Sequence, residues 1–435
     1  MLPSHRLGGY KSSVTHVTDR STPIVVVSSD THIGPRLVDD LRPYCPVGHL
    51  DAFDDFAAQA AAAREEVYGR FPGRNTAKFT RNRRTTGHYD VHARLRDLDY
   101  DGVAAEVIFH GSQNEEPIPF GTFVVFLPTS WDRELVAAGR HIYNQWLADF
   151  CSVEPERHAG LAQIPIWDVD AAVREVEWAA RAGLRGVNFP APAPDLVPYN
   201  DRSWEPLWSA CEALAMPLTT HAGAGDPAQW SGPEALAVMS IESGGWFSRR
   251  AMHQMIFGGV FERHPQLRLV LTEQPGDWWA YTLREMDSAY LAQLQSVREQ
   301  VPRLPSEYCA TNVSIGASFL ARFEARAAVD AGYAGNVMWG SDYPHMEGTF
   351  QCPERDDEPS VGRLAMRYTF AGLPDDDVRR MAGENAVEVY GLDQAALSSV
   401  AARIGAPTLA ELATPVDEVP AGAGHLAFRQ FGPWA

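Results

Sequence analysis

The chain has 435 residues, with 37 Lys plus Arg against 56 Asp plus Glu, a formal charge of −19 at pH 7. That balance disfavours nucleic-acid backbones and anionic membrane surfaces as partners, and a composition of 45% hydrophobic and 21% charged residues builds a large core and excludes a disordered acidic protein. The five scattered Cys (Cys45, Cys151, Cys211, Cys309, Cys352) form no C-x-x-C pair, and no apolar run of about 18 residues or hydrophobic leader occurs, so a cytoplasmic protein with reduced thiols is expected.

Eight short apolar, β-branched runs predict strands. In chain order they are Ile24 to Ser29, Ala104 to Phe109, Leu161 to Ile166, Gly186 to Phe189, Pro217 to Thr220, Leu267 to Thr272, Asn312 to Ile315 and Val337 to Gly340. Segments of helical period separate them. One is DVDAAVREVEWAARAG, with Asp168 or Asp170 as cap; another is SWEPLWSACEALAMP, with Trp204, Leu207, Trp208, Cys211 and Leu214 on one face. The alternation predicts an α/β fold, a (β/α)8 TIM barrel spanning residues 1–392, with 393–435 as a C-terminal extension: helical appendage, dimer contact or loose end. Insertions at 33–89, 111–139, 222–250 and 343–372 follow strand ends and belong on the catalytic face. Their aromatic residues (Phe120, Phe123, Phe126, Trp131, Trp230, Trp246, Phe247, Phe350) either line a roomy apolar pocket or pack a lid.

Chemically capable residues cluster at the strand ends. Asp30 and His32 end the first strand two residues apart, so both side chains share one side of it. His221 ends TTHAG, Glu273 ends LRLVLTE, and Asp342 ends NVMWGSD with His345 just beyond. A lone residue of this kind is usually a structural hydrogen-bonding group, but five on four strand ends read as a mixed imidazole and carboxylate metal shell. His88 and His92 are four apart and would share a helical face as ligands of a second metal, unless Asp90 simply caps a helix there. His110 ends the second strand and is expected to face the mouth, whereas Glu106 suits a structural ion pair. His141, His158, His253 and His264 read as structural. Arg74, Lys78, Arg81, Arg83 and Arg84 form a basic cluster, either a solvated loop or a patch for a phosphate-bearing carrier such as coenzyme A. No P-loop and no G-x-S-x-G elbow is present.

The D-x-H pair, TTHAG, FERHPQLRLVLTE and WGSDYPH, in that order, resemble the amidohydrolase superfamily over roughly residues 24–392, closest to its branch of metal-dependent hydrolases and decarboxylases. The resemblance implies a barrel with one or two metals at the strand ends. It makes Asp30 and His32 the first-strand ligands (H-x-H is the commoner pattern), His221 the fifth-strand ligand, and Asp342 the eighth-strand ligand and base. Glu273 stands where many members carry His, and Asn188 where dinuclear members carry a bridging Lys. Glu273 therefore speaks against an ordinary decarboxylase mechanism.

Two enzyme chemistries follow as expectations. A shell of Asp30, His32, His221, Glu273 and Asp342, joined by His88, His92 and His110, would hold two Fe. The protein would then be a non-haem di-iron monooxygenase, an activity found in a similar branch, using dioxygen on a bulky, terpenoid-like, CoA-linked substrate of secondary metabolism. Asp342, Glu273 and His221 would be catalytic. The alternative is a Zn- or Mn-dependent hydrolase or decarboxylase working through metal-activated water. A non-catalytic binding barrel is the remaining reading, and a homo-oligomer is compatible with each.

Overall fold

The computed structural model describes residues 19–70, 77–121, 131–193, 196–222, 235–292, 295–355, 357–419 and 426–434. The expected strands are all present: β1 Val27–Ile33, β2 Ala105–His110, β3 His158–Gln163, β4 Gly186–Asn188, β5 Leu218–His221, β6 Leu269–Thr272, β7 Val313–Ser318 and β8 Val337–Gly340. They pair in parallel in sequential order. Beyond β8, Asp342 N–H donates to Asp30 O (2.9 Å), and His32 N–H donates to Tyr343 O (2.6 Å). These bonds join the last strand to the first, so the sheet is a (β/α)8 barrel, closed at the end that carries the functional residues.

The barrel interior holds Val25, Val27, Ala105, Val107, Phe109, Leu161, Val270 and Met338. Its far end is plugged by Tyr390, Leu397, Val400 and Ala401, from helices Asn385–Tyr390 and Gln394–Ile404. A second core lies between strands and surrounding helices. Helix Val169–Arg181 is capped by Asp168, which accepts from Ala171 N–H. Helix Glu205–Ala213 buries Leu207, Trp208 and Cys211 as expected. Leu214 departs from that face: the helix has ended and the side chain is 38% exposed.

The structure bears on two points that the sequence left open. The C-terminal extension is not a loose end: it plugs the barrel, and Ala427 and Phe428 pack on Phe319 and Ala365. In the insertions Phe120 and Phe350 are buried, Phe120 stacking on Phe53, Phe56 and Trp131, while Trp246 is 59% exposed. Phe123, Phe126 and Trp230 lie outside the described residues. No helix among the described residues is long and apolar enough to cross a membrane.

Candidate metal centre

A bulge aims the first two ligand-type residues. Along β1, Ser28 pairs with Glu106 and Thr31 with Ile108, three steps against two. Val25 and Val27 point inward; strict alternation would continue with Ser29 and Thr31. The extra residue shifts the phase, so Asp30 and His32 turn into the mouth and Thr31 turns out to meet Glu106 (2.8 Å). On β8, Gly340 leaves room for this: a Cβ there would stand 2.9 Å from that of Asp30.

Four side chains converge. His32 Nε2 lies 3.2 Å from Asp30 Oδ1 and 3.3 Å from Asp342 Oδ1, and His221 Nε2 lies 3.4 Å from Asp30 Oδ1. His32 Nε2, His221 Nε2, Asp30 Oδ1 and Asp342 Oδ2 are buried without a hydrogen-bond partner, and Asp342 Oδ1 faces only imidazole nitrogens. The other ring nitrogens face backbone carbonyls: His32 Nδ1 that of His110 (3.2 Å) and His221 Nδ1 that of Ala222 (2.8 Å). With Nδ1–H donating outward, each imidazole presents a bare Nε2 to the carboxylates. Acceptor facing acceptor at this range needs a proton or a cation between them, and a carbonyl behind each imidazole is the usual support of a metal ligand. The donors Asp30, His32, His221 and Asp342 thus fit a divalent cation.

Further groups surround this core. Ser318 Oγ donates to Asp30 Oδ2. His345 stacks on His32 at 4.0 Å, places Nδ1 2.9 Å from Asp342 Oδ1 and its Nε2 2.9 Å from Gly111 O. Glu273 Oε2 lies 3.6 Å from His221 Nδ1, and Glu273, Asp342 and Glu347 form a third group of close donors beside Asp30–His32–His221 and His32–Asp342–His345, which share His32. Phe109 closes the floor, with its ring 4.8 Å from His221 and 5.9 Å from His32. Glu273 and Asp342 both hold left-handed backbone (φ 54° and 53°), strain of the kind held at functional sites by surrounding structure.

The electrostatics follow the crowding. Burial alone would raise Asp30, but His221 and His32 outweigh it and hold the carboxyl well below its usual range. Burial would lower His221, yet Asp30 and Glu273 raise it to about 9. Glu273 moves up, first through burial and then through Asp342, Asp30 and Glu347, with His221 opposing. Desolvation is outweighed by His345 at Asp342, whose carboxyl is lowered, and His345 in turn is raised.

Three expected ligands stay apart from this centre. His110 shares the outward face of β2 with Glu106, and its ring stacks edge-on to Tyr143 at 5.3 Å; burial lowers it to about 4. Only its carbonyl reaches the site. Asp90 caps helix Val91–Asp101, accepting from Ala93 N–H, so His88 precedes the helix and shares no helical face with His92. His88 is buried with Nδ1 2.7 Å from Ser112 Oγ, while His92 is exposed. Neither belongs to a close donor group. Asn188 stands at the end of β4, as expected.

Glu106 forms the expected structural pair: Arg94 binds it through Nε and Nη2 (2.7 Å each) and His158 through Nδ1 (3.0 Å). Arg94 also donates to His32 O (2.8 Å), which ties this pair to the ligand strand. His141 meets Glu175, and His264 meets Glu205 and Glu212. In the basic cluster Arg81 pairs with Glu358 and Arg84 with Glu354, which spends both charges within the chain and weakens a carrier-phosphate patch. Arg74 lies outside the described residues.

A closed parallel barrel carrying an Asp–His–His–Asp donor set at its C-terminal strand ends defines a metal-dependent barrel of the amidohydrolase type. The chain belongs to the amidohydrolase family: the family (Amidohydro_2, Amidohydrolase) matches residues 127–392, more than half of the chain. Gamma-resorcylate decarboxylase of a Rhizobium species is 22% identical over 295 residues, 64% of this chain and 86% of the relative. The 2-amino-3-carboxymuconate-6-semialdehyde decarboxylase of Dictyostelium discoideum is 23% identical over 228 residues, 51% and 57% of the two chains. Among solved structures, 5-carboxyvanillate decarboxylase of Novosphingobium aromaticivorans with bound manganese aligns with a TM-score of 0.60 at 17% identity, covering 85% of this chain and 97% of that one. The enzyme of that name from Sphingomonas paucimobilis aligns at 0.55 and 20%, covering 85% and 100%. These relatives agree with the hydrolase or decarboxylase alternative; none lends support to two Fe, dioxygen or a CoA-linked substrate.

Proposed function

We propose that the protein is a metal-dependent decarboxylase of a small aromatic or conjugated carboxylate, with one divalent cation such as Mn2+ or Zn2+ held by Asp30, His32, His221 and Asp342. The observation that carries the metal part is the meeting of His32 Nε2, His221 Nε2, Asp30 Oδ1 and Asp342 Oδ2, all buried without partners. The chemistry part draws on the decarboxylases among the relatives. When bound, the cation supplies charge stabilisation to an anionic carboxylate and a neighbouring oxygen.

The remaining roles belong to side chains. Phe109, beside His221 and His32, keeps water from that side of the reacting carbon. Glu273, whose pKa is raised by burial and by neighbouring carboxylates, retains a proton at neutral pH and donates it to the ring carbon bearing the carboxylate. The carbon–carboxylate bond then breaks, its electron pair returns to the ring, carbon dioxide leaves, and Glu273 recovers a proton from solvent. In this role Glu273 replaces the sixth-strand His rather than forbidding the reaction. His345 orients the Asp342 carboxylate.

The test is release of carbon dioxide from 2,6-dihydroxybenzoate and 5-carboxyvanillate by protein loaded with Mn2+ or Zn2+. Turnover that stops on chelation supports the reading. Protein with full metal content that leaves every such carboxylate intact, or consumes oxygen instead, refutes it.

A further inference from the structure

The matched family region ends at residue 392, yet the last described stretch of the chain, residues 426–434, returns to the barrel mouth. Arg429 is only 5% exposed. Its guanidinium pairs with Glu324 and donates to the carbonyls of Phe319 (2.9 Å) and Leu426 (2.9 Å). Glu324 lies in helix Arg322–Ala331, which follows β7, and it also accepts the backbone N–H of Gly276. Gly276 sits three residues beyond Glu273. At the other end of the stretch, Leu426 N–H points at Glu347 O (3.4 Å). The two outer carboxylates of the Glu273–Asp342–Glu347 group are therefore borne by loops that meet this one segment, directly at Glu347 and through Glu324 at Gly276. Pro433 and Trp434 complete the contact: a Cβ on Gly276 would lie 3.3 Å from Pro433, and one on Gly244 would lie 3.2 Å from Trp434.

We propose that residues 426–434 form a strap that sets the loops after β6 and β8 relative to each other, with Arg429 as the positioning residue. Arg429 touches no reacting group; it acts through Glu324 on the Glu273 loop, while Leu426 holds the Glu347 loop. The consequence for catalysis rests on the decarboxylase reading, but the strap itself is tested without substrate.

The experiment is amide hydrogen exchange, read by mass spectrometry, on the full chain with and without Mn2+, for wild type, Arg429→Met, Arg429→Lys and Glu324→Gln. Arg429→Met is expected to speed exchange about tenfold in segments 274–279 and 343–349 while strands β2 to β5 keep their protection. Arg429→Lys restores part of that protection, and Mn2+ affinity stays within about twofold of wild type because the bonds that position Asp30, His32 and His221 run to Ser318, His110 and Ala222 and Asp342 is held by its own backbone bond to Asp30. Unchanged exchange in both segments overturns the proposal, as does a uniform rise across the barrel or a matching loss of Mn2+ affinity. If Arg429→Met does not fold, the same segments are read in Arg429→Lys and Glu324→Gln. A protein without decarboxylase activity that still shows the local exchange pattern keeps the strap and loses only its catalytic consequence.

Discussion

The backbone N–H of Asp342 donates to the carbonyl oxygen of Asp30 at 2.9 Å, so the hydrogen bond that joins the last strand to the first also brings two buried carboxylates into one site. Each carboxylate leaves at least one oxygen without a partner, both approach His32 Nε2, at 3.2 and 3.3 Å, and like charges held in one buried site repel. A cation resolves that conflict. Asp342→Asn is therefore expected to weaken Mn2+ binding at least about 100-fold while the metal-free protein melts no lower than wild type. Titration calorimetry and metal-free melting curves check the two halves; a variant with wild-type Mn2+ affinity removes Asp342 from the shell.

Binding to the folded state alone raises stability by mass action, about 2.7 kcal/mol at a hundredfold excess over Kd. Chelation of the loaded protein is expected to lower its melting temperature, and Mn2+ to restore it. Melting that does not respond to metal contradicts the donor set.

Glu273→Gln keeps shape and left-handed backbone but removes the transferable proton. It is expected to retain metal and lower kcat by about 10²- to 10⁴-fold. Because burial and neighbouring carboxylates raise the Glu273 pKa, wild-type activity falls on the alkaline side as the group ionises, and the variant lacks that limb. A pH–rate profile identical in both proteins assigns the proton to another group.

Arg94 and Glu106 are fully buried partners, so Arg94→Met leaves a stranded carboxylate and is expected to cost about 3–5 kcal/mol in urea unfolding. Burial would raise Glu106, but Arg94 and His158 outweigh it and lower the pKa to about 2. A depressed folded pKa contributes stability above the ordinary carboxylate range, and that contribution is lost as pH falls from about 4.5 toward 2. Glu106→Gln flattens this acid limb; an unchanged limb assigns it elsewhere.

Double substitution of His88 and His92 by Ala is expected to leave metal stoichiometry unchanged, since one histidine bonds Ser112 and the other is exposed. The ratio of metal to protein, measured by elemental analysis, decides it.

Much of this site was legible in the chain. Strand runs end at Asp30, His32, His221, Glu273 and Asp342, and the structure brings all five to one mouth. The misreading of His110 had a signal against it: Phe109 and His110 are neighbours on a strand, so only one can face the mouth. Asp90, three residues before Ala93, likewise marked a cap that separates His88 from His92. Ser318, Glu347, Arg94 and Arg429 had no comparable local mark, because their partners lie far away in the chain.

Periodicity and residue type by themselves determined a parallel barrel and the donors available at its strand ends, because both are set by neighbours a few residues apart. Tertiary structure alone decided which donors meet. The bulge in β1 that turns Asp30 and His32 inward, the bond from Asp342 to Asp30, and the return of Arg429 to Glu324 all depend on contacts between segments remote in sequence. A one-residue shift of phase in a strand moves a side chain to the opposite face, and that phase is fixed by the strand alongside.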